Sequence, residues 1–431
     1  MHHADETTTR TTGTHAMAKT AMSTLVLIVS LFFLWGMANN LNDILIKQFK
    51  GAFELSDFQA GLVQSAFYLG YFLLAIPAGL CMRRFGFKGA LLIGLCLYAL
   101  GALLFYPAAA THAYALFLGA LFVIASGLAF LETSANPLVT VLGPPEGAAR
   151  RLNFAQSFNP LGSITGVLIG RYFIFSGVEH TPAQLAAMAP AARQAYFTAE
   201  SAAVQTPYLV IGLVVIVFAL LIAFARFPAT TEHVADSKSG TAHIKRLLRN
   251  RYFRFSVVAQ FFYVGAQVGV WSYLIRYTQG TLPGTPEKHA ADFLTASLVA
   301  FMLGRFVGTA LMRFFAPRKL LALFAIINIL LCGTAVAMSG HAGVYALVAA
   351  SFFMSVMYPT IFVLGLGGLD DDDRKLGSSL LVMAIIGGAV LTALMGAVSD
   401  MTGISSAMIV PLGCFAVVFG FASRSGKARI A

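Results

Sequence analysis

The chain has 431 residues, of which 58% are hydrophobic and 11% charged, and its mean hydropathy is +0.78. A soluble protein carries about 25% charged residues, so this chain has too few to cover a water-facing surface. That excludes a soluble enzyme, a disordered scaffold and a secreted disulfide module, and leaves a polytopic membrane protein. The net charge of +11 fits basic residues gathered on cytoplasmic loops better than it fits nucleic-acid binding. Cys81, Cys96, Cys332 and Cys414 lie in apolar runs without CxxC spacing, so neither a metal site nor a disulfide framework is supported.

In chain order, residues 1–22 are polar and Thr-rich and read as a disordered cytoplasmic tail. The next run resembles a signal-peptide core behind Lys19. It continues through Trp35 and Gly36 without a small-residue cleavage site, so it reads as a retained first span. Hydropathy predicts twelve spans: 24–49, 58–82, 89–108, 113–142, 152–176, 206–228, 252–279, 290–315, 319–339, 342–368, 376–399 and 404–423. Pro137 is expected to bend the long fourth span. Residues 177–205 read as an extended outer loop. Residues 229–251 read as a hydrophilic cytoplasmic linker between six-helix bundles at 23–228 and 252–424, with a short cytoplasmic tail at 425–431. With both termini inside, 22 of the 29 Lys and Arg residues fall on the inner side and six on the outer, while Arg305 sits within span 8. That asymmetry predicts cytoplasmic termini.

The two halves echo each other. Phe32-Phe33-Leu34-Trp35-Gly36 recurs as Phe261-Phe262-Tyr263-Val264-Gly265. Leu69-Gly70-Tyr71-Phe72 recurs as Leu303-Gly304-Arg305-Phe306, and Pro137 and Gly143 find counterparts in Pro359 and Gly365. Three matches in one order favour a duplicated six-helix unit, as in secondary transporters that rock about a midplane site. In this register Asp43 aligns with Ser272 and Glu132 with Met354, so both membrane carboxylates belong to the first half.

A carboxylate at the centre of a membrane helix costs about 2.5–3.5 kcal/mol on insertion scales. Asp43 and Glu132 are therefore the leading functional candidates. A low dielectric favours their protonated forms, which suits a proton carrier; the alternative is a structural hydrogen bond to a neighbouring helix or a position at headgroup level. Amides and aromatics share helix faces with them or with one another: Asn39 with Asp43, Asn136 with Glu132, then Asn153, Gln156 and Asn159, then Gln64 with Tyr68, then Tyr263, Gln267 and Trp271. Such faces suit a neutral polyhydroxylated ligand, since amides donate and accept and aromatic rings stack on sugar C–H faces. The alternative is interhelical pairing of amides. Arg305 reads as a structural or gating residue at the cytoplasmic end of span 8, held by carbonyls or a carboxylate; the alternative is direct contact with substrate. Asp370 to Asp373 lack the spaced ligands of a calcium loop and read as a solvated loop. Gly162, Gly166 and Gly170 read as a close-packing stripe. No HExxH is present and no nucleophile constellation marks an enzyme.

The segments LFFLWGMANNLNDIL (31–45), FQAGLVQSAFYLGYF (58–72), LETSANPLVTVLGP (131–144), NFAQSFN (153–159), AQFFYVGAQVGVWSYLIRY (259–277) and YPTIFVLGLGGL (358–369) resemble the L-fucose–proton symporter (fucose permease) family of the major facilitator superfamily. The resemblance runs from about residue 25 to 424. It implies an all-α membrane protein with twelve transmembrane helices in two six-helix bundles and alternating access. It implies that Asp43 and Glu132 couple protons, and that Asn40, Gln156 and Asn159 line a sugar cavity. The segment GLCMRRFGFKG (79–89) departs from the superfamily's GxxxDRxGR motif by lacking its Asp, the residue of the usual charge relay at that loop.

The expectation is proton-coupled uptake of a neutral monosaccharide, most simply L-fucose, with the proton as coupling ion and no cofactor or metal. The partners are a small sugar and the lipid bilayer of a bacterial inner membrane, with no nucleic acid and a monomer sufficing. Related branches carry glucose, galactose or amino sugars. A drug–proton antiporter on the same fold would want an apolar cavity, against which the amide stripes argue, and a non-transporting sugar sensor would bind its ligand without moving it.

Overall fold

The structure is a computed structural model. It describes residues 24–38, 41, 53, 57–111, 113–174, 184, 187–225, 227 and 240–424. Among these residues every regular element is helical. In chain order they are α1 Thr24–Ala38, α2 Asp57–Ala110, α3 Tyr114–Val141, α4 Ala148–Gln156, α5 Phe158–Ile169, α6 Pro190–Ala202, α7 Gln205–Phe224 and α8 Gly240–Arg249. Then follow α9 Arg251–Thr281, α10 Glu287–Leu311, α11 Pro317–Ala337, α12 His341–Met354, α13 Met357–Leu366, α14 Asp371–Met383, α15 Gly387–Thr402 and α16 Ile409–Arg424.

Among the described residues nine helical runs are long and apolar enough to cross a bilayer. One of them, Ser65–Ala110, holds two of the expected spans, joined at Gly86 with φ 70° and ψ 179°. Only glycine takes up that backbone conformation readily. Helix α1 and the interrupted run α4–α5, which continues as a π-helical turn over Gly170–Ile174, account for expected spans 1 and 5. Twelve spans are thus placed.

Two local expectations need correcting, at residues 177–205 and 370–373. The outer loop at 177–205 contains α6, whose Pro190 sits at the first helical turn and needs no donor there. The linker at 229–251 contains α8, and the linker's residues 229–239 lie outside the described residues. Asp370 to Asp373 are not a solvated loop. Asp370 caps α14 by accepting from the Asp373 amide at 2.7 Å, and Asp373 is buried. Helix α3 runs unbroken through Pro137 to Val141.

Grouped by packing, the chain forms two compact units. The first comprises Met1–Gly70, Cys81–Pro145 and Leu161–Asp236, and the second Tyr71–Leu80, Glu146–Pro160 and Ser237–Ala431. In the first unit α3 is the central helix, since every residue from Ile124 to Val139 is buried. A helix apolar all round and covered all round is the core of its bundle. It meets α2 through facing glycines: a Cβ on Gly127 would lie 2.6 Å from the Gly94 carbonyl. Helix α5 lies so close to α1 that a Cβ on Gly162 would collide with the Phe33 carbonyl. In the second unit α15 approaches α9 the same way, with Gly387 against the Phe261 carbonyl. Phe33 is the second residue of the repeated Phe-Phe motif and Phe261 its first, so the motif makes a similar helix contact in both units, one residue out of register.

The linker helix α8 is fastened within the second unit. His243 Nδ1 lies 2.8 Å from Asp373 Oδ1, and Arg246 pairs with Asp373 and Asp370, each at 2.6 Å. The hydrogen bond to Asp373, reinforced by both carboxylate charges, pushes the Arg246 guanidinium above its ordinary value.

Candidate functional site

Glu132 and Asn136 stand one turn apart on α3 in the middle of the buried stretch, 1% and 0% exposed, with Thr133 and Ser134 between them also buried. The carboxylate therefore faces protein, not lipid or bulk water. On α2, Tyr68 is half-buried with its ring edge-on to Phe67, and Gln64 is helical. Asn39, Asn40 and Asp43 lie outside the described residues.

The second unit brings another set together around Arg305. An α-helical carbonyl four residues before a proline has no N–H to receive, because proline lacks the donor. Pro160 leaves the Gln156 carbonyl in that position, and Pro359 leaves the Ser355 carbonyl. The chain breaks its helices at these places, between α4 and α5 and between α12 and α13. Arg305 of α10 donates from Nη1 to the Gln156 carbonyl at 2.9 Å and from Nε to the Ser355 carbonyl at 2.9 Å. Its Nη1 also lies 3.4 Å from Gln156 Oε1. The guanidinium is buried 4.7 Å over the Phe301 ring, and that ring stands edge-on to Trp271 at 5.0 Å.

Gln156 is buried and Asn159 half-buried. Asn153 on the same helix donates to Thr360 Oγ1 at 3.3 Å and to the Ala149 carbonyl at 2.9 Å. The Tyr263 hydroxyl donates to the Met354 carbonyl at 2.8 Å, and its ring lies 6.4 Å from Tyr358. Trp271 Nε1 donates to Ser351 Oγ at 3.1 Å, and Ser351 hydrogen-bonds Ser297. Gln267 is half-buried one turn from each. Gln156 and Trp271 thus belong to one connected polar–aromatic cluster, linked through Arg305 and Phe301. Chemically this cluster offers amide and hydroxyl groups framed by aromatic rings, with no carboxylate in contact with it among the described residues.

Residues 23–379 match the Major Facilitator Superfamily. The chain belongs to the Major Facilitator Superfamily. Within it, the chain is 50% identical over 401 residues to the L-fucose-proton symporter of Escherichia coli K12, covering 92% of this chain and 91% of that one. It is 38% identical to the glucose/galactose transporter of Brucella abortus, covering 91% and 92%. A crystal structure of a variant of the E. coli fucose:proton symporter, FucP, superposes with a TM-score of 0.88 at 48% identity, over 95% of this chain and all of that one. The twelve-helix all-α membrane fold expected from the sequence is that of this superfamily.

The amide spacing exposed Gln156 and Asn159 as candidates, and the lone span cation exposed Arg305 as one held by carbonyls or a carboxylate; carbonyls it is. Tyr358, Phe301 and Ser351 went unread. Their signal was available only for Tyr358, which adjoins Pro359, the residue that frees the carbonyl Arg305 takes.

Proposed function

We propose that the chain takes up a neutral monosaccharide, L-fucose first, together with a proton by alternating access. It works as a monomer in a bacterial inner membrane with both termini in the cytoplasm. The observation that carries this reading is the near full-length similarity to the L-fucose-proton symporter of E. coli, taken with a carboxylate, Glu132, buried at the centre of its bundle. Glu132 and Asp43 are the proton-coupling acids. Asn39, Asn40, Gln64, Tyr68, Asn136, Gln156, Asn159, Tyr263, Gln267 and Trp271 are the sugar-binding set.

The chemistry follows from the cost of charge in a low-dielectric interior. With its carboxylates ionised, a sugar site resists closing around them, because desolvating a bare charge is expensive. Protonation neutralises the site and permits the switch that delivers sugar and proton inward. Release of the proton to the cytoplasm restores the charge. One elementary charge moving through 100 mV supplies about 2.3 kcal/mol, which corresponds to roughly fiftyfold accumulation of sugar per proton.

The test is alkalinisation of the medium around de-energised cells on addition of L-fucose, D-glucose, D-galactose or N-acetylglucosamine, with dye efflux measured alongside. L-fucose is expected to give the largest proton uptake and the dye none. A larger response to glucose or galactose moves the substrate toward that of the Brucella relative. Binding of a sugar with neither proton movement nor counterflow in proteoliposomes overturns transport in favour of a sensor.

A further inference from the structure

The two prolines and Arg305 form one device. Pro160 and Pro359 lie in different segments of the chain, and each strips a donor from a helix carbonyl four residues earlier. A buried carbonyl left so is costly inside a membrane. A single guanidinium, with five donors in a rigid fork, meets both carbonyls at 2.9 Å. Its third contact is the side-chain oxygen of Gln156, at 3.4 Å.

We propose that Arg305 is the positioning residue for Gln156: it supplies the N–H groups that the prolines withhold and so fixes how the Gln156 amide is offered to the sugar. This rests on the reading of Gln156 as a sugar-binding amide. A lysine at 305 keeps the charge but not the fork, so it reaches one carbonyl at the expense of the other. An alanine at 160 returns to Gln156 the helical donor it lacks, and so makes Arg305 less necessary there. An alanine at 359 returns a donor to Ser355 alone.

The experiment is a double-mutant cycle on the purified full-length chain, with L-fucose binding read by calorimetry. Arg305→Met is expected to weaken binding at least about tenfold, since hydrogen bonds to charged groups carry that much. Adding Pro160→Ala to it should recover most of the loss, to within about threefold of Pro160→Ala alone, whereas adding Pro359→Ala should not. Unchanged binding in Arg305→Met overturns the proposal, as does recovery by neither alanine or by both equally. Should Arg305→Met fail to fold, the same cycle is run with Arg305→Lys. If the wild-type chain binds no sugar of the panel, the functional reading fails. The thermal unfolding midpoints of the same variants then decide the capping itself, and additive shifts for Arg305 and Pro160 would overturn it.

Discussion

In the first compact unit Gly162 lets α5 rest on the Phe33 carbonyl of α1, and in the second Gly387 lets α15 rest on the Phe261 carbonyl of α9. The contacts are alike, made by the same motif one residue out of register. Among the described residues inside the expected spans, the ionisable group that each unit buries is opposite in sign. The first holds a carboxylate, Glu132, inside a helix covered on every side. The second holds a guanidinium, Arg305, spent on two backbone carbonyls. Backbone-to-backbone contacts tolerate little change, because nothing in them can rotate away, so both copies retain them. Ionisable groups are free to diverge, and the divergence marks where each unit contributes chemistry.

The largest effect should come from removing the acid. Glu132→Gln is expected to abolish accumulation, taking the gradient from roughly fiftyfold to about onefold, while sugar counterflow survives. A variant that still concentrates sugar at the full rate removes the acid, and with it the first unit's buried charge, from the coupling. Next, Gly162→Val and Gly387→Val should each cost about 2–3 kcal/mol, because overpacking against a fixed backbone has no rotamer escape. Matched drops in the thermal midpoints of the purified proteins would sharpen the equivalence, and a tolerated valine at one site alone would break it.

Two smaller effects concern features of the second unit. Asp373→Asn removes the carboxylate shared by His243 and Arg246. With Arg246 half-exposed, a loss of about 1–2 kcal/mol is expected, seen as faster amide exchange across residues 240–249. Asn250 caps α9, its side chain accepting from the Tyr252 and Phe253 amides at 3.0 and 3.1 Å. Asn250→Ala should cost about 1 kcal/mol, read as a lower unfolding midpoint with transport intact.

The spans were legible because membrane helices advertise themselves by hydropathy. Helix α6 was not, because its Ala, Arg, Gln and Glu residues are strong helix formers with little net hydropathy. Asp370 to Asp373 misled for a related reason. Charge suggests solvent, yet at a helix start it also serves the exposed amides and the helix dipole. At the candidate site, spacing along one helix revealed the Gln156 and Asn136 faces, since that geometry is local. The partners of Arg305 were hidden because they are carbonyls, which every residue possesses. Only the prolines four positions on single out Gln156 and Ser355, and nothing in a linear sequence says that the two would meet the same side chain.

The elbow at Gly86 has a practical consequence. Two rods meet there with a single left-handed residue and no slack, and Lys88 just beyond it ties down the carbonyls of Ala223 and Ala225 at the end of α7. An affinity or fluorescent tag spliced in at this corner would have to unwind a turn on either side and release a third rod as well. Reporters for this carrier belong at its chain ends.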